Sequence, residues 1–270
     1  LPSNNDQSPP ELDFSDPIDR MEKSLDSIIP TDPQVSYDVT NVIKAIFDED
    51  SFLPVHQYFA PSAVVGLARL AGKTVGVIAN QPMYLAGVLD INASDKIARF
   101  IRFCDAFNIP LVSFVDTPGF MPGVNQEHSG IIRHGAKIVY AYSEATVPKI
   151  AIITRKAYGG AYIVMSSKYI RTDMVFAWPT AEVAVMGAEG AVNILYAKDL
   201  KGVENPEEQK AAFVQDFKDT FSKPYYPAAS GHIDEILIPR ETRPNLIAAL
   251  ELLKDKKVES PKKKHGNIPL

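Results

Sequence analysis

The sequence predicts an α/β domain in which a largely parallel sheet is covered by helices on its faces. Short runs of apolar, β-branched residues have the length of strands, and amphipathic stretches separate them. The runs are nearly continuous in apolar residues, as in strands that are buried on both sides of a parallel sheet. The four strand-like runs are KTVGVIAN (73–80), PLVSFVD (110–116), KIAIITR (149–155) and MVFAWP (174–179).

The amphipathic stretches predict the helices. Between the first two strands, Ile97, Ile101 and Cys104 recur on one face of a helix over 92–107, which Asn92 or Ser94 can cap. Cys104 on this apolar face is predicted to pack in the core. Further helices are predicted over 128–146, 187–200, 205–223 and 244–256, and a helix followed by a loop or short strand over 37–55.

The two ends of the chain differ in composition from the middle. The start, LPSNNDQSPPELDF, is rich in Pro, Asn and Ser and has neither the basic nor the apolar region of a signal peptide. We therefore expect an interdomain linker and lead-in over 1–30, one domain over 31–255, and a basic, mobile tail over 256–270. A linker at the start suggests the second half of a longer protein.

Composition excludes several classes of function. The net charge of −5 gives no electrostatic reason to expect nucleic-acid binding, and no apolar run approaches the ~20 residues of a membrane span. The single cysteine excludes an intrachain disulfide framework and a multi-thiolate metal site. We expect no nucleic-acid partner and no metal.

Side chains that usually carry catalysis are thinly represented. The five histidines include no H-x-x-x-H pair, and the sequence lacks G-x-S-x-G, Walker A and dinucleotide-binding motifs. His128 and His134 are interpreted as polar positions at a helix start rather than as general bases. Glu189, between Gly187 and Gly190, is either a first-turn acid that the helix dipole favours or an acid or base at a site rim. We favour the first reading.

Backbone groups remain as candidates. In KAYGGAYIVM, Gly159 and Gly160 lie at a predicted strand-to-helix turn, where the first amides of a helix have no internal acceptor. Such donors suit a developing oxyanion, and a second donor could come from Ala86-Gly87-Val88. Gly119, in VDTPGFMPG, follows the second strand, where α/β sheets often hold ligands. The alternative at each place is ordinary turn chemistry.

Longer motifs carry a family resemblance. They are GVIANQP (76–82), LVSFVDTPGFMPG (111–123), HGAKIVYAYSEATVPKI (134–150), RKAYGGAYIVMSSK (155–168), AVMGAEGAVNI (184–194) and the ending KKKHGNIPL. Together they resemble the carboxyltransferase (β-type) subunit of biotin-dependent acyl-CoA carboxylases, which include propionyl-CoA and acetyl-CoA carboxylases and methylmalonyl-CoA carboxyltransferase. The resemblance extends from the linker to the last residue.

The resemblance implies an architecture. Family members contain two crotonase-like domains, each a spiral of β-β-α units, and this sequence is similar to the second domain only. That domain is implied to supply the biotin half of the active site, and the first domain of the same or a partner subunit the acyl-CoA half. Implied partners are the biotin carboxyl carrier and biotin carboxylase components and further copies of the chain, from a dimer to a hexameric ring. The implied location is cytoplasmic.

The resemblance also implies roles for single residues. The amides of Gly160 and Ala161, next to Gly159, are implied to stabilise the ureido oxygen of biotin while carboxyl passes from carboxybiotin to the α-carbon of a short acyl-CoA. The base in this mechanism is the cofactor itself. Cofactor-binding positions are implied at Gly87, Val88, Gly119, Phe120, Tyr158 and Ile163. Ile163 stands where propionyl-type members often have Asp, which leaves the acyl chain open.

Two alternatives remain open at this point. A membrane-complex decarboxylase subunit runs the same chemistry in reverse, for example on methylmalonyl-CoA. An isolated domain that only assembles or docks the carrier, without activity of its own, belongs to a different class.

Overall fold

The computed structural model describes residues 1–201, 203 and 205–270, and its centre is an eight-stranded sheet. The strands are paired in the order β1-β2-β3-β4-β5-β6-β8, and β7 pairs with β5. Their bounds are β1 Leu53–Val55, β2 Ala63–Leu70, β3 Lys73–Asn80, β4 Leu111–Thr117, β5 Lys149–Tyr158, β6 Met174–Ala177, β7 Glu182–Ala184 and β8 Glu235–Ile236.

The sheet is antiparallel at one edge and parallel elsewhere. β1, β2 and β3 form antiparallel pairs, and a tight turn at Ala71–Gly72, both with positive φ, joins β2 to β3. From β3 onward every pair is parallel, as the sequence predicted for its four strands. The prediction found no strand at β2. A Cβ on Gly66, within β2, would lie 2.6 Å from the carbonyl oxygen of Leu53 on β1, so the pairing of the two strands requires glycine there. Glycine is uncommon within strands, and it therefore weakens the strand pattern in the sequence.

Helices follow most strands, close to the predicted stretches. Their bounds are α1 Leu25–Ile28, α2 Val39–Ile46, α3 Ile91–Ala106, α4 Val124–His128, α5 Ile131–Glu144, α6 Gly159–Val164, α7 Ala188–Leu195, α8 Pro206–Phe217, α9 Tyr225–Ala229 and α10 Thr242–Leu252. Short 3₁₀ turns occupy Leu85–Gly87, Lys168–Ile170 and Pro239–Glu241, and a π-helical turn occupies Lys218–Ser222.

Two helix starts differ from the prediction. The N-cap of α3 is Asp90, whose carboxylate accepts from the Ala93 amide at 2.7 Å, rather than Asn92 or Ser94. The predicted helix over 128–146 begins only at Ile131, as α5, because Gly130 adopts a left-handed φ of 89° and separates it from α4, which ends at His128. An isolated αL residue interrupts the α-helical hydrogen-bond ladder and so resets its start.

Alternate residues of the central strands enter two separate hydrophobic cores. On β4, Leu111 and Val115 join one core, whereas Val112 and Phe114 join the other. Helices α3, α5 and α6 complete the first core, and α1, α2 and α10 complete the second. Cys104 is fully buried in the first core, so the prediction that it packs is confirmed, and burial raises the pKa of its thiol.

Both terminal segments lie against the sheet layers. Within the predicted linker, Leu25 and Ile29 are buried in the second core, and the Leu12 amide donates to the carbonyl of Gly72. In the basic tail, Lys263 pairs with Glu144 on α5. The tail thus contacts α5 through this ion pair. Among the helices of the described residues, none combines the length and the apolar character needed to cross a membrane.

Candidate functional site

The loops that the sequence singled out meet at one edge of the sheet. Because β3, β4 and β5 are parallel, their carboxyl ends lie side by side, with Thr117 of β4 paired with Ala157 of β5. The loop after β3 packs onto β4, since a Cβ on Gly87 would lie 2.4 Å from the carbonyl oxygen of Asp116. This edge brings the predicted positions 87–88, 119–120 and 158–163 together.

The Gly159–Gly160 turn is where β5 becomes α6 without a connecting loop. β5 continues to Tyr158, three residues past the predicted end at Arg155, and α6 begins at Gly159. Gly159 has φ +55°, and a Cβ there would lie 2.9 Å from the carbonyl oxygen of Val185. A glycine is therefore required at this position for both conformation and space.

Gly160 has no such crowding. A Cβ on Gly160 would meet only the ring of Phe120, at 3.9 Å, and otherwise open space. Its amide and that of Ala161 belong to the first turn of α6, where no side chain caps the helix. Within the described part of the chain, neither amide donates to another element. The turn therefore presents two backbone donors beside a space that the missing side chain leaves open.

Phe120 forms the opposite wall. Phe120 forms an isolated β-bridge with Leu89. The Leu89 amide donates to the carbonyl of Gly119 at 3.1 Å and the Met121 amide donates to the carbonyl of Leu89 at 2.9 Å, so the amide of Phe120 itself takes no part in the bridge. Its ring lies between Gly160 and Gly135 of α5, where a Cβ would approach the ring to 2.8 Å. Gly135 thus makes room for Phe120.

The loop at Gly87 plays a different part from the one expected. The Gly87 amide donates to the carbonyl of Tyr84 at 3.0 Å, and the Val88 amide donates to the carbonyl of Leu85 at 2.9 Å. A second free donor therefore does not come from the amides of Gly87 or Val88, because the turn already uses both. Gly87 instead allows the close approach to β4.

An apolar rim surrounds the turn. Ile163, one turn into α6, is 39% exposed, and Val185 and Met186, which follow β7, are also exposed. Exposed apolar side chains grouped at a site rim often mark surfaces that another molecule covers.

Charged groups support the site from beneath. Arg155 Nε donates to Asp116 Oδ2 at 2.9 Å in a fully buried ion pair, and Asp116 Oδ1 accepts from the Lys156 amide. Arg155 Nη1 also donates to the carbonyls of Asp32 and Val35, at 3.2 and 2.8 Å. We call residues 32–35 the strap. The pair ties the ends of β4 and β5 to each other and to the strap.

Glu182 is a site residue that the sequence reasoning missed. β7 pairs with the last residues of β5, with Tyr158 opposite Ala184, and the buried Tyr158 donates its hydroxyl to the Glu182 carboxylate. Burial, with the Glu182 hydrogen bond as a further cause, raises the pKa of Tyr158, so the phenol stays protonated. Glu182, in the sequence AEVAV (181–185), belongs to no recognisable motif. Its position beside Tyr158 follows only from the pairing of β7 with β5.

The other candidate acids and bases lie elsewhere or take structural positions. His134 of α5 is hydrogen-bonded to Asp95 at 2.9 Å, and His128 is the last residue of α4. Glu189 is an exposed acid in the first turn of α7, as the favoured reading predicted. Across the residues that the structure describes, no group of His, Cys, Asp or Glu has the arrangement of a metal site.

This geometry favours one kind of chemistry. Helix-start amides without an internal acceptor, beside an open space, can bind a carbonyl oxygen and stabilise negative charge that develops on it. The side-chain pairs at this edge, Tyr158 with Glu182 and Arg155 with Asp116, are each occupied with one another.

Comparison with known proteins shows which proteins the chain is similar to. The carboxyl transferase domain family matches residues 1–268. The chain is 53% identical over 270 residues to the propionyl-CoA carboxylase carboxyltransferase subunit of Haloferax mediterranei, and 51% identical over 270 residues to the methylmalonyl-CoA decarboxylase subunit alpha of Veillonella parvula. Each alignment covers 100% of this chain and 52% of the relative.

A solved structure is similar over the whole chain. Transcarboxylase 12S, a hexamer determined with methylmalonyl-coenzyme A and methylmalonic acid bound, is 47% identical with a TM-score of 0.94, covering 100% of this chain and 52% of that one. The predicted α/β fold of the crotonase-like type is therefore confirmed. The chain spans about half the length of the curated relatives it matches.

Proposed function

The chain belongs to the carboxyl transferase domain family, and from this we propose that it forms the biotin half of a carboxyltransferase active site. The whole protein then transfers a carboxyl group between biotin and the α-carbon of a short acyl-CoA. The observation that carries the proposal is the first turn of α6, where the amides of Gly160 and Ala161 donate to no other element of the described chain and Gly160 leaves open space beside Phe120.

The site fits a flat, neutral ligand with one carbonyl oxygen. A Cβ at Gly160 would project into the space that such a ligand needs, and glycine leaves that space free. The ring of Phe120 and the side chain of Ile163 supply apolar contact beside it. Of the expected cofactor-binding positions, we propose that Gly119, Phe120 and Ile163 line this space and that Gly87, Val88 and Tyr158 support its walls.

The chain's own part in the reaction is electrostatic. Bound biotin supplies a transferable carboxyl group and a basic ureido nitrogen, which is chemistry that this site lacks among its side chains. The amides of Gly160 and Ala161 would hold the ureido oxygen and stabilise negative charge on it. Burial of the turn against Val185 keeps the two donors in one orientation.

The remaining parts come from outside the chain. The acyl-CoA half of the site is proposed to come from the other half of the protein, in the same or a partner subunit, because the chain spans 52% of its relatives. The hexamer of transcarboxylase 12S supports a homo-oligomer, in the range from a dimer to a hexameric ring. Biotin is proposed to arrive on a carrier that a biotin carboxylase component loads, in the cytoplasm.

A second direction of the same reaction is supported by one comparison. The methylmalonyl-CoA decarboxylase subunit alpha of Veillonella parvula is about as similar to the chain as the carboxylase subunits are. A decarboxylase subunit that takes carboxyl from methylmalonyl-CoA, in a membrane-associated complex, is therefore the alternative proposal. The apolar Ile163 is compatible with acetyl or propionyl chains.

The amide assignment is tested in the complete subunit. Gly160→Val places a branched side chain over both donors, and we expect carboxyl transfer from methylmalonyl-CoA to free biotin to fall at least about 100-fold. Circular dichroism and the oligomeric state should be unchanged. Wild-type transfer by a folded Gly160→Val subunit would remove the assignment.

The isolated domain gives a separate test of the half-site. Residues 1–270 alone, supplied with malonyl-CoA or methylmalonyl-CoA and free biotin, should show almost no decarboxylation because the acyl-CoA half is absent. Turnover near that of the complete subunit would show instead that this domain contains a whole site.

A further inference from the structure

The end of β5 that carries the Gly159–Gly160 turn is held differently from the rest of the strand. Between Ile150 and Ile153, β5 lies between β4 and β6. Beyond that point its partner on one side changes to β7, which pairs with Lys156, Ala157 and Tyr158. On the other side the register with β4 shifts between Val115 and Thr117. The last residues before the turn therefore depend on β7 for their alignment.

A side-chain contact reinforces this backbone pairing. The Tyr158 hydroxyl donates to the Glu182 carboxylate, which joins the residue before the turn to the first residue of β7. Tyr158 is 7% exposed and serves as the N-cap residue of α6. A hydrogen bond from a buried hydroxyl to a carboxylate is stronger than one between neutral groups. It fixes the ring of Tyr158 directly beneath the helix start.

The segment after β7 closes around the same turn. The carbonyl oxygen of Val185 lies 2.9 Å from the position of a Cβ on Gly159, and a Cβ on Gly187 would lie 3.4 Å from the Tyr158 ring. The chain leaving β7 thus contacts both the turn, through Val185, and the Tyr158 ring, through Gly187. A shift of β7 has to move the peptide that precedes Gly160.

We propose that Glu182 and Tyr158 are positioning residues that set the direction of the Gly160 and Ala161 amides. The inference rests on the proposed function, because those amides are its catalytic donors. Neither side chain has to touch the reacting atoms: Glu182 orients the Tyr158 ring, and the ring and β7 hold the turn. A misplacement of about 1 Å at a reacting centre costs roughly 100-fold in rate.

The side chains offer a matched set of variants. Tyr158→Phe keeps the ring and removes the donor, Glu182→Leu removes the acceptor, and Glu182→Gln keeps an acceptor oxygen without the charge. Thr180→Val is the control. The Thr180 hydroxyl donates to the carbonyl of Thr154 at 2.8 Å, and Thr154 lies in β5, as Tyr158 does, but farther from the turn.

The activity experiment uses the complete subunit, with methylmalonyl-CoA and free biotin as probes. Tyr158→Phe and Glu182→Leu should each lower kcat about 10- to 100-fold, and the double variant should lose no more than either single one. The KM for methylmalonyl-CoA should be unchanged. The kcat of Glu182→Gln should be much closer to wild type than that of Glu182→Leu, and the kcat of Thr180→Val should be within twofold of wild type. Wild-type kcat in folded Tyr158→Phe and Glu182→Leu subunits would overturn the inference.

Hydrogen exchange supplies a readout that does not depend on turnover. Peptides covering 156–165 should exchange faster in Tyr158→Phe and Glu182→Leu than in wild type, Glu182→Gln or Thr180→Val. Equal exchange in all five proteins would count against the inference. Gly160→Val separates the two proposals: if it is inactive while Tyr158→Phe is fully active, the amide site stands and the positioning role fails. If Gly160→Val is fully active, the proposed function itself fails.

Discussion

The ring of Phe120 lies 3.9 Å from the point where a Cβ on Gly160 would stand, so the loop after β4 and the helix after β5 form two walls of one space. Phe120 and Gly160 are 40 positions apart in the chain. Their approach follows from the parallel pairing of Thr117 with Ala157, which brings the two strand ends together.

The two glycines of the turn should respond in opposite ways to alanine. Gly160→Ala meets no crowding, so its unfolding free energy should match wild type while carboxyl transfer falls. Gly159→Ala forces a left-handed φ and a contact with Val185, which should cost about 1–2 kcal/mol. Urea unfolding with a parallel transfer assay measures both. Equal destabilisation by the two substitutions would contradict the separate roles.

Gly135→Ala tests whether the Phe120 wall matters. The new methyl group would lie 2.8 Å from the ring, so the ring has to shift, and its other glycine neighbour, Gly160, leaves open space. We expect transfer to fall about tenfold, since a small misplacement of this kind suffices. Gly190→Ala, in α7 with only Met186 nearby at 3.7 Å, is the control and should be fully active. Equal activity in both variants would show that Phe120 is not part of the site.

The buried ion pair should be a stability element. Asp116→Asn leaves the Arg155 guanidinium buried without its carboxylate, and breaking a buried pair in this way costs about 3–5 kcal/mol. Asp219→Asn, which removes an exposed pair with Lys223, is the control and should leave the denaturation midpoint unchanged. Similar midpoints for the two variants would contradict the buried role of Asp116.

Lys96 should give the stability a pH dependence. Its ammonium group donates to the carbonyls of Phe59, Ala60 and Ala63, and burial lowers the pKa of Lys96 to about 8. Between pH 8 and 10 the unfolded chain therefore binds this proton more fully than the folded one, so its contribution to stability rises with pH. Lys96→Met should flatten the curve of unfolding free energy against pH in that window. An unchanged slope would show that Lys96 does not titrate there.

Local features of this fold were predictable, and long-range ones were not. The turn at Gly159–Gly160 follows from an apolar strand that runs directly into a helix, and both patterns are local. The role of Glu182 depends on β7 pairing with the end of β5, which no residue spacing reveals. The use of the Gly87 and Val88 amides within their own turn was equally hidden, because turn geometry decides it and several turn types fit the same residues.

The strap has a mechanical consequence. Arg155 and Lys156, on β5, donate hydrogen bonds to the carbonyls of the strap, and Lys156 Nζ lies 3.2 Å from the carbonyl oxygen of Pro33. A force on the chain ahead of residue 32 would therefore be transmitted to β5 through these hydrogen bonds. The three hydrogen-bonded carbonyls, those of Asp32, Pro33 and Val35, thus couple the strap mechanically to the peptide bonds that precede Gly160.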